Sequence, residues 1–166
     1  MLLDRTGEIS RLRHREPMVA QIIVALQRRA YRPEAELLQF PELPPLKESP
    51  AQVMASDETF FGMTIRSRLV AIVAIESDTT GTRISRLCVA PESARRGYAT
   101  RLLRHALAKA APPIRVTTGE KNEAALALYS SLGFVVERRH QSQEGLALVT
   151  LRMDPHASDG AETDGH

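Results

Sequence analysis

The sequence predicts one domain of mixed α/β (α+β) class, in which apolar strands and amphipathic helices follow one another along 166 residues. Three features carry this prediction. Apolar strands are predicted within residues 58–89, where the run Leu-Val-Ala-Ile-Val-Ala-Ile indicates a fully buried strand. A strand, a short polar turn and a helix follow directly over residues 87–103, and a further amphipathic helix begins near Asn122.

The N-terminal third predicts a short strand near residues 9–13 and then a helix that begins at Pro17, because proline suits the first helical position. The apolar residues at helical spacing predict its buried face: Val19, Ile22, Ile23, Leu26 and Ala30. Residues 31–49 are predicted to be irregular, since Pro44-Pro45 forbids regular helix. A short helix is expected from Pro50.

The rest of the chain predicts strands over residues 58–65, 68–76 and 82–89, a helix over 96–110 and a strand over 114–118. After the helix at Asn122, residues 135–136 and 146–151 are expected to close the sheet as an antiparallel pair. Apolar periodicity stops after Met153. We therefore predict a folded domain over residues 1–153 and a disordered acidic tail over residues 154–166.

Composition argues against several classes of protein. The chain is 43% hydrophobic and 25% charged, which is typical of a globular domain, and no apolar run approaches the length of a membrane span. Asp4 and Arg5 place charges too early for a signal peptide. One cysteine, Cys88, cannot form an internal disulfide, and no Cys/His spacing predicts a metal site. The expected location is the cytoplasm.

The charge is distributed unevenly. Residues 154–166 hold four of the 20 acidic residues and none of the 22 basic ones, so the remainder carries a formal charge of +6. Such a balance suits a multiply anionic small ligand. Nucleic acid is not expected as a partner, because aromatic residues make up only 4% of the chain and no basic run alternates with stacking side chains.

The segment from residue 87 to residue 103 has the pattern of an anion-binding loop. The first N–H groups of a helix have no intrahelical partner, and glycine at position 97 lets an anion approach the main chain. Arg95 and Arg96 add positive charge. The P-loop and dinucleotide-binding motifs are absent from the sequence. Taken alone, the segment fits either an anion site or an ordinary connection between a strand and a helix.

A second segment decides between these interpretations. Ala125, Leu128, Tyr129 and Leu132 share one face of a helix that Asn122 is suited to cap and Gly133 to end. Together, Arg-Arg-Gly-Tyr-Ala at 95–99 and Asn-x-x-Ala-x-x-x-Tyr-x-x-x-Gly-Phe at 122–134 closely resemble the two cofactor motifs of the GNAT superfamily of N-acetyltransferases. The resemblance covers about residues 60–153. A further resemblance, to a bacterial subset of that superfamily, brings no substrate with it.

The resemblance implies a central mixed, mostly antiparallel sheet of about six to seven strands flanked by about four helices, with acetyl-CoA as co-substrate. In the family the strand before the loop pairs with the pantetheine arm, the loop binds the pyrophosphate, and the second motif completes the cofactor site. The corresponding residues are Leu87, Cys88 and Val89 on the strand, Arg95, Arg96, Gly97, Tyr98, Ala99 and Thr100 in the loop, and Asn122 and Tyr129 in the second motif. Ala94 departs from the Gln or Arg that usually opens the loop.

The resemblance also implies that Tyr129 is the catalytic acid that protonates the departing thiolate, since a phenol with an ordinary pKa of about 10 is protonated at neutral pH. The alternative is that Tyr129 only packs against the cofactor. No general base can be assigned: Glu58, Glu76 and Glu120 are candidates by position, and a water chain or a neutral amine serves equally. Cys88 is interpreted as a small buried thiol.

The function predicted from these motifs is acetyl transfer from acetyl-CoA directly to a primary amine, of a small molecule or a peptide. The wall of the acceptor pocket is expected near Glu36, Phe40 and Phe61, and a homodimer is possible because dimers are common in the superfamily. The alternative, from a different class, is a non-catalytic module that binds an acyl-CoA as a sensor or regulator.

Overall fold

A computed structural model describes residues 7–154 of the chain. Seven strands are present in this range: β1 (Glu8–Arg11), β2 (Thr59–Ile65), β3 (Arg68–Asp78), β4 (Gly81–Val89), β5 (Ile114–Gly119), β6 (Val135–Gln141) and β7 (Ala147–Met153). The helices are α1 (Pro17–Leu37), α2 (Pro44–Lys47), α3 (Pro50–Ala55), α4 (Tyr98–Leu107) and α5 (Glu123–Ser131). The tail predicted to be disordered lies, except for Asp154, outside the described residues.

The strands form one sheet in the order β1-β2-β3-β4-β5-β7-β6. Four neighbouring pairs, β1–β2, β2–β3, β5–β7 and β6–β7, are antiparallel. The pairing of β4 with β5 is parallel and spans three residue pairs, from Thr82 with Ile114 to Ile84 with Val116. The prediction of a mixed, mostly antiparallel sheet of six to seven strands is therefore confirmed.

The structure corrects the predicted irregular segment over residues 31–49. Helix α1 continues through Pro33 to Leu37, because Tyr31 and Ala35 extend the same buried face that Ile23 and Gln27 begin. Pro44 and Pro45 do not exclude helix: they occupy the first turn of α2, where a missing N–H costs nothing. One predicted member of the buried face is also wrong, since Ile22 is 50% exposed.

Other boundaries shift by a few residues. The first strand is Glu8–Arg11, and α4 is shorter at both ends than the predicted 96–110. The final antiparallel pair is longer than predicted, because β6 continues to Gln141 through exposed polar residues that carry no apolar signal. Within residues 7–154 no helix combines the length and the apolar character needed to cross a membrane.

The chain divides into two compact units. Unit 1 consists of Met1–Ile75 and Ser85–Lys109, and unit 2 of Glu76–Ile84 and Ala110–His166, of which residues 7–154 are described. The core of unit 1 packs α1 and α3 against β2, β3 and the end of β4, around Phe60 and Ile72. In unit 2 the largest fully buried side chains are Ile114, Val149 and Leu151.

Candidate acetyl-CoA site

The loop between β4 and α4 forms as the sequence predicts. After Val89 the chain makes a short 3₁₀ turn over Pro91–Ser93, and α4 begins at Tyr98 with Gly97 as its N-cap. Both Arg95, with φ of 62°, and Gly97, with φ of 78°, lie in the left-handed region. Arg95 therefore adopts a backbone conformation that residues other than glycine rarely adopt. Such strained conformations are frequent at functional sites.

Open space surrounds the main chain at Gly97. A Cβ placed on this residue would meet no atom of residues 7–154 within 4 Å. Gly97, as the N-cap, has no side chain with which to cap the helix, so the N–H groups of the first turn are available to a ligand or to solvent. Helix α4 has ten residues, and its dipole adds partial positive charge at the same place. The arrangement fits a phosphate group approaching the backbone of residues 97–100.

The side chains of this loop separate into two groups. Arg95 and Arg96 are exposed, whereas Tyr98 is only 8% exposed and packs into unit 1. Ala99 and Thr100 are partly exposed, and Thr100 lies at the third position of the helix. Ala94 contributes no polar side chain, and its N–H donates to the carbonyl of Pro91 at 3.3 Å. Positive charge and backbone donors are therefore the recognition groups that this loop offers.

On β4, the main chain of Leu87 contacts a side chain from α1. Its N–H donates to the Tyr31 hydroxyl at 3.1 Å, and that hydroxyl lies 3.1 Å from the Leu87 carbonyl, to which it donates. No pattern in the sequence indicates this contact. A ligand that pairs with Leu87 has to replace Tyr31.

Cys88 is a core residue. It is 6% exposed and belongs to the same buried cluster as Phe60 and Ile72. Burial raises the pKa of the Cys88 thiol far above its ordinary value, so the thiol stays protonated and is not a nucleophile. The interpretation of Cys88 as a buried structural thiol is confirmed, and only its backbone remains available for a role in binding.

The second motif forms helix α5 of unit 2. The Asn122 side chain accepts a hydrogen bond from the N–H of Ala125 at 3.1 Å, as predicted for an N-cap. Tyr129 lies on the buried face, 4% exposed, and its ring meets Phe134 edge-on with 5.4 Å between the centroids. Asn122 thus shapes the start of the helix that carries Tyr129.

The end of α5 is a Schellman motif. The N–H of Phe134 donates to the carbonyl of Tyr129 at 3.0 Å, and the N–H of Gly133 donates to the carbonyl of Ser130 at 3.1 Å. Gly133 has a φ of 99°, and a Cβ there would come within 3.6 Å of the Met153 sulfur. The contact between Tyr129 and Phe134 completes the motif, which fixes the position of the tyrosine ring.

We expect Gly133→Ala to destabilise the protein by about 1 kcal/mol, because alanine is strained at this positive φ although space for its methyl exists. Urea denaturation of the variant checks this. Gly133→Asn is the control, since asparagine tolerates the left-handed region better and should cost less. Equal stability of the alanine variant and the wild type would show that the motif does not constrain the helix end.

The three carboxylates considered as general bases all contact arginines. Glu76 pairs with Arg83, and Glu120 accepts from Arg139 at 3.0 Å. Glu58 accepts from Arg86 through both carboxylate oxygens, at 2.7 and 2.8 Å. Burial alone would raise the pKa of Glu58, but the hydrogen bonds from Arg86 and Ser85 and the charge of Arg86 outweigh it and hold the pKa below its usual value.

Arg86 is the centre of a buried polar cluster that the sequence did not predict. Besides Glu58, the guanidinium contacts both carboxylate oxygens of Glu48 and donates to the Gln27 side chain at 2.8 Å. Its carbon lies 5.0 Å from the centre of the Phe60 ring. Burial would lower the pKa of Arg86, but its two carboxylates raise it instead. Arg86 is therefore a permanent cation, and it holds the carboxylate of Glu58 ionised.

A pocket of about 570 Å³ lies between the C-terminal half of α1 and the segment after it. Glu36 and Phe40 line it, as expected for the acceptor wall, together with Arg28, Arg32, Pro41 and Leu46. Phe61, the third residue expected there, does not line it. That ring is 4% exposed and packs edge-on against His105, 5.1 Å away. No group of His, Cys, Asp or Glu within residues 7–154 is arranged to hold a metal ion.

Comparison with known proteins agrees with this geometry. Residues 30–155 match the model of the acetyltransferase (GNAT) domain. The chain is 32% identical over 146 residues to UPF0157 protein YqkA of Bacillus subtilis, covering 87% of this chain and 43% of that protein. The chain thus spans less than half the length of this relative.

Two solved structures show the same fold. The PaiA N-acetyltransferase of Thermoplasma acidophilum, solved in complex with coenzyme A, has a TM-score of 0.72 and 16% identity over 89% of this chain and 99% of its own. An acetyltransferase of the GNAT family from Streptococcus pneumoniae has a TM-score of 0.66 and 17% identity over 89% and 98%. With the family match over residues 30–155, the chain belongs to the GNAT acetyltransferase family.

Proposed function

We propose that this chain is an acetyl-CoA-dependent N-acetyltransferase that moves an acetyl group directly to a primary amine. The observation that carries the proposal is the open main chain at Gly97, at the uncapped start of α4. A phosphate there accepts hydrogen bonds from backbone N–H groups and sits at the positive end of the helix dipole. Coenzyme A bound to the structural relative from Thermoplasma acidophilum supports the choice of donor.

In the proposed reaction the amine nitrogen attacks the thioester carbonyl carbon, a C–N bond forms and the C–S bond breaks. The amine loses one proton and the thiolate gains one. We assign the second transfer to the hydroxyl of Tyr129, on the strength of the family resemblance and of the rigid position that the Schellman motif gives this ring. The acceptor that we propose is a small-molecule or peptide amine.

One observation favours a second candidate, a module that binds acyl-CoA without catalysis. Glu58, Glu76 and Glu120, the carboxylates considered as general bases, all pair with arginine. For Glu58, the hydrogen bonds from Arg86 and Ser85 hold the pKa below its usual value, which makes this carboxylate a weaker base than a free one. An amine that arrives neutral needs no base at all, so the two candidates differ in turnover rather than in binding.

Thiol release from acetyl-CoA in the presence of a panel of amines distinguishes the two. The panel should contain polyamines, amino-acid amides and peptides with a free N-terminus or lysine. Release above the rate without amine, for at least one class, supports the enzyme. Tight acetyl-CoA binding without release for any amine supports the module.

Gly97→Val tests the donor site itself. We expect acetyl-CoA affinity to fall by more than tenfold, or about 1.4 kcal/mol and more, because a branched side chain would occupy the space that a phosphate requires. Isothermal titration calorimetry measures this change. The protein should remain folded, since the added Cβ meets no neighbour within residues 7–154.

The matched control is Gly145→Val. Gly145 also has a positive φ, 85°, and open space around its Cβ position, but it lies in the turn between β6 and β7. The two variants should therefore lose similar stability through backbone strain, and only Gly97→Val should lose acetyl-CoA affinity. Equal affinity in both folded variants would reject residues 97–100 as the phosphate site.

A further inference from the structure

A second, more basic pocket lies in unit 1, with a volume of about 580 Å³. Arginines from three parts of the chain line it: Arg29 on α1, Arg66 and Arg68 at the β2–β3 turn, and Arg96 in the loop before α4. Arg66 and Arg68 belong to neither cofactor motif. Four guanidinium groups around one pocket repel one another unless anions lie among them.

The pocket has too little negative charge of its own to balance these arginines. Among the described residues of the lining, Glu92 is the one acidic residue, and it pairs with Arg29 at 2.5 Å. The hydrogen bond from Arg29, with the nearby charge of Arg68, holds the pKa of Glu92 below its usual value, so this carboxylate is ionised. Within residues 7–154, Arg66, Arg68 and Arg96 form no ion pair. The lining therefore carries a formal charge of +3.

The β2–β3 turn presents one of these arginines at its tip. Arg66 and Ser67 have φ of 52° and 63°, and Ile65 pairs with Arg68 across the turn. Two successive left-handed residues define a two-residue hairpin turn in which asparagine and glycine are favoured. Arginine at this position is a poor choice for the turn, so the fold does not explain its presence.

The remaining lining is mostly apolar. Ile65, Leu69 and Val70 come from the two strands of the hairpin, and Tyr98 begins α4. Arginines around a partly apolar depression focus positive potential and bind phosphate oxygens in pairs, because the planar guanidinium offers two parallel N–H groups. The chemistry fits a phosphate-bearing ligand whose body is less polar than its charged end.

We propose that this pocket binds a ligand that carries two or more negative charges on phosphate oxygens. The phosphate comes either from the 3′-phosphate end of acetyl-CoA, since Arg96 and Tyr98 belong to both the pocket and the candidate acetyl-CoA loop, or from a separate phosphorylated molecule. In the first case the proposal rests on the function proposed above; in the second it stands without it.

The test uses tripolyphosphate as the probe and the double variant Arg66→Asn/Arg68→Gln. Asparagine suits the left-handed position of Arg66, and both side chains are exposed, so the variant should fold. We expect wild-type protein to bind tripolyphosphate at low ionic strength and the double variant to bind it at least roughly tenfold more weakly. Arg138→Gln, which removes an exposed arginine of β6, is the control that should bind as the wild type does.

Two further titrations identify the source of the phosphate. If acetyl-CoA supplies it, the double variant binds acetyl-CoA more weakly but binds the 3′-dephospho form as the wild type does. If the ligand is a separate molecule, wild-type protein saturated with acetyl-CoA still binds tripolyphosphate. The double variant does not bind it under the same conditions. Either result supports the pocket.

Tripolyphosphate and both coenzymes binding equally to the double variant and the wild type would overturn the proposal. Wild-type protein that does not bind tripolyphosphate or acetyl-CoA would also overturn it. Wild-type protein that binds tripolyphosphate through Arg66 and Arg68 but does not bind acetyl-CoA would contradict the proposed function. The proposal of a phosphate-binding pocket would still hold.

Discussion

Arg86→Leu is expected to lower the free energy of unfolding by about 3–5 kcal/mol, because it leaves the buried carboxylate of Glu58 and the partly buried carboxylate of Glu48 without a cation. The side chains of Arg86, Glu48 and Glu58 are only 10%, 19% and 8% exposed. In the variant, these carboxylates would repel each other in a poorly solvated site. Urea denaturation at neutral pH, compared with the wild type, measures the loss.

Two controls separate the buried charge from other effects of the substitution. Arg83→Leu removes an arginine from the same strand, but its pair with Glu76 is 63% and 40% exposed, so the cost should stay below about 1 kcal/mol. Arg86→Leu combined with Glu48→Gln and Glu58→Gln removes the orphaned charges and should recover part of the lost stability. A single Arg86→Leu variant as stable as Arg83→Leu would show that the cluster is not held by charge.

The pH dependence provides a second measurement of the same cluster. In the wild type the folded-state pKa of Glu58 lies below its ordinary value of 4.5, so its stabilising contribution is complete above that pH and is lost as the pH falls through the lower folded-state value. Without Arg86, burial raises the pKa of Glu58, and acid then favours the folded variant. The stability difference between wild type and Arg86→Leu should therefore shrink as the pH falls below about 4.5; a constant difference would contradict this account.

The features that the sequence predicted correctly depend on contacts between residues close along the chain. The hydrogen bond of the Asn122 cap joins residues three positions apart, and the longer bond of the Schellman motif at Gly133 joins residues five positions apart. The turn before α4 is likewise encoded by Gly97 and its neighbours. Local backbone preferences decide such features, and they are visible in a short window of sequence.

The Arg86 cluster could not be predicted in this way. Arg86 lies 28, 38 and 59 positions from Glu58, Glu48 and Gln27, and no periodicity joins these residues before the chain folds. The same reason explains why α1 was predicted to end too early. Burial of Tyr31 and Ala35 offsets the cost of Pro33, and that burial depends on strands that come later in the chain. The expected place of Phe61 at the acceptor wall is wrong for the same reason, because its ring packs against His105, which lies far along the chain on α4.

The candidate site was predicted in part. The position and backbone of the loop at Gly97 follow from its residues, and the structure adds the open space beside it. The contact of the Tyr31 hydroxyl with Leu87 was missed, because a tyrosine on an amphipathic helix gives no sign of which strand its hydroxyl reaches. The basic pocket was missed for a similar reason, since its arginines lie at positions 29, 66, 68 and 96.

Tyr129→Phe is expected to lower kcat by roughly tenfold to a thousandfold if Tyr129 is the general acid, while acetyl-CoA affinity changes little. Phenylalanine keeps the ring that packs edge-on against Phe134 and leaves the backbone of the Schellman motif unchanged. The substitution therefore removes the hydroxyl and little else. Steady-state thiol release with an amine that turns over gives kcat, and calorimetry gives the acetyl-CoA affinity.

Phe134→Leu is the complementary variant, because it weakens the packing of the Tyr129 ring and keeps the hydroxyl. For a general acid, Tyr129→Phe should reduce kcat far more than Phe134→Leu, although Phe134, at 2% exposure, should cost more stability. For a residue that only packs, the order of the two effects on kcat is reversed. If neither variant nor the wild type releases thiol with any amine while acetyl-CoA still binds, the chain is the acyl-CoA-binding module and Tyr129 has no catalytic role.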